Sequence, residues 1–148
     1  MRYLEDFHPG DLFESPGITL TESEIIRFAL QFDPQPFHVD VEAAAQSPAG
    51  GLIASGFQTV ALGFRMLFDT GLFQATLGSP GMDRLEWLKP VRPGDTLRTR
   101  MEVIESRPSR SKPDRGLLTG CFTILDQRNE LMVDADFAMF MRRKGQPA

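Results

Sequence analysis

The 148-residue chain has one cysteine, one tryptophan, one tyrosine and two histidines. One cysteine excludes an intrachain disulfide and fits a reducing compartment. That cysteine, with His8 and His38 far apart in sequence, cannot supply the usual Cys/His zinc set, so no metal is expected. No apolar run approaches the roughly 18 residues of a membrane span. The most apolar stretch, Val60 to Phe68, is short and carries Arg65. Met1 to Gly10, MRYLEDFHPG, lacks the apolar segment of a signal peptide, so a soluble, cytoplasmic protein is expected. Basic residues number 16 against 20 acidic ones, a formal net charge of -4, which argues against general nucleic-acid binding. P-loop and dinucleotide-binding glycine patterns are missing. So is the nucleophile elbow, because Ile53 and Phe57 flank Ser55 where G-x-S-x-G requires glycines.

What is present is an ordinary globular composition, 41% hydrophobic and 24% charged, in one domain spanning 1–148 with its core over about 10–142. Leu12 to Leu20 is a weak strand candidate broken by Pro16-Gly17. Thr21 to Glu24 has the capping-box pattern, and Ile25, Ile26, Ala29, Leu30 and Phe32 form a helical stripe behind it. That helix must stop near Phe32, because Asp33 precedes a proline. Asp40 caps a short helix from Val41 to Gln46, and Ser55 caps a longer one from about Gly56 to Asp69. The longer helix is apolar on nearly every side, which predicts a buried central position. From Gly78 onward the apolar period becomes two. The segments 82–89, 96–106, 116–126 and 130–142 read as strands, with turns at Arg92-Pro93-Gly94-Asp95 and Asp126-Gln127-Arg128-Asn129. Helices followed by hairpin-linked strands give an α+β class with an antiparallel sheet wrapped around one long helix.

Asp33-Pro34-Gln35-Pro36-Phe37-His38 is the one dense chemical constellation. It places a carboxylate and an imidazole five residues apart in a loop stiffened by two prolines. Such a pair can hold a water and move its protons. The plainer alternative is a proline-rich turn with Asp33 as a local cap. Ser55-Gly56 opens the long helix, whose free amides and positive dipole end can receive a carbonyl oxygen as it gains charge; an ordinary N-cap is the alternative. Arg107, Arg110, Lys112 and Arg115 form a cationic loop that suits either ligand phosphates or a solvated hairpin. Cys121 falls mid-strand and reads as a small packing residue. Trp87, Tyr3 and His8 carry no specific signal.

Phe32 to His38, with Asp40 two residues on, resembles the hydratase motif of MaoC-like dehydratases and (R)-specific enoyl-CoA hydratases, whose usual form is Gly-Asp-x-Asn-Pro-x-His. Asp33, Pro36 and His38 match in register. Gly51 to Gly56, Gly78 to Gly81 and Leu88 to Asp95 resemble the family's approach to its central helix and the strand and hairpin that follow. Phe32 and Gln35 stand where glycine and asparagine are usual, and Ser55 where several hydratases have histidine, a pattern that looks like an FDPQPFH sub-type.

The resemblance implies a hotdog fold, a homodimer and a cofactor-free hydro-lyase acting on an enoyl or 3-hydroxyacyl thioester of coenzyme A. Asp33 and His38 are then the catalytic pair, and the Gly56 amide binds the thioester carbonyl. Ser55, Phe57 and Gln35 are expected to touch substrate, and Arg107, Arg110 and Lys112 to meet the phosphates of coenzyme A. A hotdog thioesterase and a non-catalytic acyl-thioester-binding module are the alternatives, since a fold does not fix chemistry.

Overall fold

The capping box closes as its residues require. The Thr21 hydroxyl accepts from the Glu24 amide, the Glu24 carboxylate accepts from the Thr21 amide, and α1 runs Glu22–Phe32. Three further helices follow: α2 over Pro36–Val39, α3 over Val41–Gln46 with the Asp40 carboxylate on two of its first amides, and α4 over Gly56–Asp69. The computed structural model describes residues 1–145. Two elements go beyond the sequence expectation. These are α2, which places His38 on a helical turn rather than in a loop, and a 3-10 turn at Leu4–Asp6.

The weak strand candidate splits at Pro16-Gly17 into β1, Leu12–Glu14, and β2, Ile18–Thr19. The four later strands are β3, Gly81–Trp87; β4, Thr96–Pro108; β5, Arg115–Leu125; and β6, Leu131–Arg142. All pair antiparallel in the order β1-β4-β5-β6-β3, with β2 also on β4. Gly94 supplies the positive φ that the second central residue of a type II turn needs. β3 precedes β4 in sequence, yet it pairs with β6 at the opposite end of the sheet.

One sheet face is apolar. Leu97, Met101 and Val103 of β4, Leu118, Phe122 and Ile124 of β5, and Ala135, Phe137, Met139 and Met141 of β6 are buried there. α4 lies against this face, the hotdog arrangement. It approaches this face closely at Gly63, where an added Cβ would fall 2.5 Å from Ile124 Cδ1 and 3.2 Å from Thr99 Oγ1. The Thr99 hydroxyl donates to the Gly63 carbonyl at 3.1 Å, so the contact is pinned as well as packed. Phe64 meets Phe122 edge to face at 4.9 Å. α4 is not enclosed on all sides, however. Gln58, Thr59, Gly63, Met66 and Leu67 are buried, while Phe57, Ala61, Arg65 and Phe68 face outward.

On the outer sheet face Arg84 grips Asp136 through Nε and Nη2 and Asp134 through Nη1, tying β3 to β6 just after the irregularity at Met82/Arg84. Cys121 lies on this face rather than in the core. Burial and the neighbouring Asp134 carboxylate, to which it donates at 3.2 Å, push its thiol up to about 11. No helix among the described residues is long and apolar enough to cross a membrane.

Candidate active site

α1 stops because proline follows Asp33. The Asp33 amide makes the last helical bond, to Ala29, and its side chain is released from the helix surface. Pro36 then starts α2 at the position where its missing N–H costs nothing. One turn later His38 points inward and is only 4% exposed, with its ring edge to face with Phe37 at 4.5 Å. The segment Ile53-Ala54 runs beside it as a strap. The Ile53 amide donates to Phe37 and the Ala54 amide to Val91.

The strap fixes the imidazole. His38 Nδ1 lies 2.7 Å from the Ile53 carbonyl oxygen. A carbonyl can only accept, so Nδ1 carries a proton, an assignment made from the partner. Nε2 is therefore the nitrogen left to gain or lose one. It lies 3.4 Å from Asp33 Oδ2. That separation is too long for a strong direct bond, and it lets both groups converge on a third oxygen.

Asp33 is held on both oxygens. Oδ2 accepts from the Ser55 hydroxyl at 2.7 Å and Oδ1 from the Gln35 amide at 2.8 Å. The Ser55 bond has the largest influence and, with Gln35 and the His38 ring, holds the carboxyl below the ordinary carboxylate range against the opposing effect of burial. Asp33 is thus the charged partner at neutral pH, and Nε2 is the nitrogen of His38 that faces it.

Ser55 also caps α4, accepting from the Phe57 amide at 3.2 Å. Gly56 is the first residue of that helix, and its amide donates to nothing among the described residues. An open cavity of about 340 Å³ brings the Gly56 backbone together with Asp33 and His38. Ile53, Ala54, Phe57, Trp87, Val91 and Val133 are among its apolar walls.

The cavity also settles where each expected site residue lies. Asp33, His38, Gly56, Phe57 and Gln35 all line it. Ser55 does not. It is fully buried and its hydroxyl donates to Asp33 Oδ2, so it holds the carboxylate and does not face the cavity. Nor do the cations of the β4–β5 connection reach the site. Arg107 pairs with Leu117, which lies seven residues along β5 from Ile124, the partner of cavity residue Val133. At about 3.3 Å per residue that is roughly 23 Å along the strand. Within one chain, Arg107, Arg110 and Lys112 sit at the far end of the sheet, with Arg107 bonded to Glu105. The cavity adds Trp87 and Val133, which the sequence did not single out. Trp87 ends an edge strand, and its only sequence signal is its position next to Leu88-Lys89-Pro90.

The fold has known counterparts. The model of the MaoC like domain matches residues 6–117. A MaoC-like dehydratase from Rhodospirillum rubrum, solved by crystallography, is 38% identical and superposes with a TM-score of 0.91 over 100% of both chains. An uncharacterised protein, YdeM, of Bacillus subtilis is 31% identical across 95% of this chain and 99% of its own length. A 3-hydroxybutyryl-CoA dehydratase of Methylorubrum extorquens is 32% identical over 74% of this chain and 69% of that protein.

Proposed function

Since the chain belongs to the MaoC-like dehydratase family, we propose that it is a hydro-lyase that adds water to an enoyl thioester, or removes it from a 3-hydroxyacyl thioester, with coenzyme A as the carrier. The observation that carries this reading is the placement of Asp33 Oδ2 and His38 Nε2, 3.4 Å apart, on the cavity that the free Gly56 amide also lines.

The chemistry follows from those three groups. The thioester carbonyl lies at the start of α4 and accepts from the Gly56 amide, aided by the helix dipole. Polarising that carbonyl makes the β-carbon electrophilic and prepares the oxygen for enolate-like charge. A water held between Asp33 and His38 gives a proton to Nε2 as its oxygen bonds to the β-carbon. The imidazolium, stabilised beside ionised Asp33, returns a proton to the α-carbon. No cofactor enters the balance: the two new bonds are filled by the hydroxyl and proton of one water. Crotonyl-CoA is expected to lose its enoyl absorbance with this protein, and (R)-3-hydroxybutyryl-CoA to gain it. Release of free thiol from acyl-CoA without any change in enoyl absorbance would instead make the protein a thioesterase. Tight thioester binding with no turnover of either kind would make it a binding module.

A homodimer accompanies this reading. β3 ends the sheet with its outer edge unpaired, and Phe57, Phe68, Trp87 and Leu88 are exposed large apolar side chains on or near that end. An edge strand beside bare aromatic surface favours pairing with a second copy.

The Asp33 environment gives the reaction a pH signature. Its folded-state pKa lies below the ordinary value, chiefly through the Ser55 hydroxyl. The charged form, and the stability that comes with it, is therefore present above the ordinary carboxylate range and lost as pH falls through the folded value. Ser55→Ala removes the largest stabiliser of the charge, so the acid limb of kcat/KM against pH should move to higher pH. The lost cap should also cost about 1 kcal/mol of stability. An acid limb left where it is in the wild type would remove Asp33 from the rate-determining ionisation.

A further inference from the structure

Gly56 has no room for a side chain because Trp87 occupies the place. A Cβ built there falls 2.5 Å from Cε2 and 2.9 Å from Cδ1 of the indole, and Nε1 is the nearest atom of all. The pyrrole side of the ring, which carries the N–H, and not its benzo side therefore lies over the start of α4. Indole Nε1–H is a donor that cannot accept. It meets no acceptor among the described residues, and the residue is 48% exposed at the cavity wall.

The ring is held in place from two sides. Trp87 ends β3 in register with Val133 of β6, and its indole packs edge to face on Phe57 at 5.7 Å. An unused donor is thus fixed beside the unused Gly56 amide, in the cavity that contains the acid/base pair. We propose that Trp87 Nε1–H is the second donor of the carbonyl site, and that it grips the thioester oxygen together with the Gly56 amide. A carbonyl oxygen has two lone pairs, and one amide leaves the second without a partner among apolar walls. A neutral donor suits an oxygen that begins uncharged and gains charge as water adds, because it strengthens with that charge and adds none of its own. Its effect on rate rests on the hydro-lyase reading; its grip on the carbonyl does not.

Trp87 is the chain's one tryptophan. Biosynthetic replacement by β-(3-benzothienyl)alanine therefore changes this site alone, putting sulfur where the N–H stood and keeping the bicyclic shape. The expected result is a fall in kcat for crotonyl-CoA of about 10²–10³-fold, the usual effect of deleting one such donor, with a much smaller change in KM. In parallel, the infrared carbonyl stretch of bound butyryl-CoA, which cannot be hydrated, should move back towards its value in free solution. Trp87→Phe should move both readouts in the same direction, and it decides the question if the analogue-containing protein does not fold. A donor-free protein with wild-type kcat and an unaltered stretch would overturn the proposal while leaving the hydro-lyase reading intact. A wild type that hydrates no enoyl thioester would overturn that reading, and the stretch would still decide the role of Trp87. A carbonyl stretch in the native protein equal to that of free butyryl-CoA, or no binding of butyryl-CoA, overturns the indole's role.

Discussion

Asp33→Asn and His38→Ala should each slow hydration of crotonyl-CoA by about 10²–10⁴-fold, the range expected for loss of a positioned acid or base. The two substitutions fail for different reasons. Asparagine keeps the shape of Asp33, and its carbonyl oxygen can still accept from Ser55, but the charge that steadies an imidazolium is gone. Its effect should fall mainly on kcat, with little change in melting temperature. Alanine at position 38 removes the proton acceptor and also leaves the Ile53 carbonyl without its donor. A buried acceptor stripped of its partner costs about 1–3 kcal/mol. The thermal midpoint should therefore drop, and His38→Asn, whose amide nitrogen can take the place of Nδ1 and donate to Ile53, should recover stability without recovering rate. Wild-type turnover in both Asp33→Asn and His38→Ala would show that the reaction centre lies elsewhere.

Gly56→Ala should have the next largest effect, about 10²–10³-fold on kcat, comparable to losing an oxyanion donor. The cause is steric and local. Alanine is a better helix former than glycine, so propensity alone predicts no harm. Its Cβ, however, would lie within 3 Å of the Trp87 ring, so either the indole or the start of α4 must move, and either motion misaims a donor. A double-mutant cycle isolates this contact. In a Trp87→Ala background the space is empty, and adding Gly56→Ala should cost far less than it does in the native protein. Equal costs in both backgrounds would mean that the glycine serves the substrate's own approach and not the indole.

The local parts of this molecule were legible in the sequence, and the assembled parts less so. Thr21 to Glu24, Asp40 and Ser55 each announce a helix start through a bond made within a few residues, and those starts lie where expected. The closeness of Asp33 and His38 was legible for the same reason, since five residues and two prolines restrict where they can go. The role of Ser55 was not. Its hydroxyl reaches back 22 residues to Asp33, a contact set by how α4 docks rather than by any nearby pattern. Trp87 was missed because its meaning depends on an edge strand lying next to β6, and strand order is not written in strand periodicity. The apolar surround of α4 suggested complete enclosure, yet Phe57 and Phe68 face outward, because apolar pattern marks what is to be covered without naming the cover. The cationic loop reading of Arg107, Arg110, Lys112 and Arg115 holds only for Arg110 and Lys112: Arg107 belongs to β4 and Arg115 to β5, and the strands carry all four to the far end of the sheet from the cavity.

The position of β3 has a consequence for how the chain folds. β4, β5 and β6 are neighbours in sequence joined by short connections, whereas the strand partner of β3 among the described residues is β6, the last of them in the chain. Closing that long loop comes before any contact that rewards it, so it belongs to the slow part of the pathway. The indole can reach the tip of α4 only when β3 docks. During refolding, near-native secondary structure should therefore precede activity, and the cavity beside the start of α4 should be the last region of the molecule to mature.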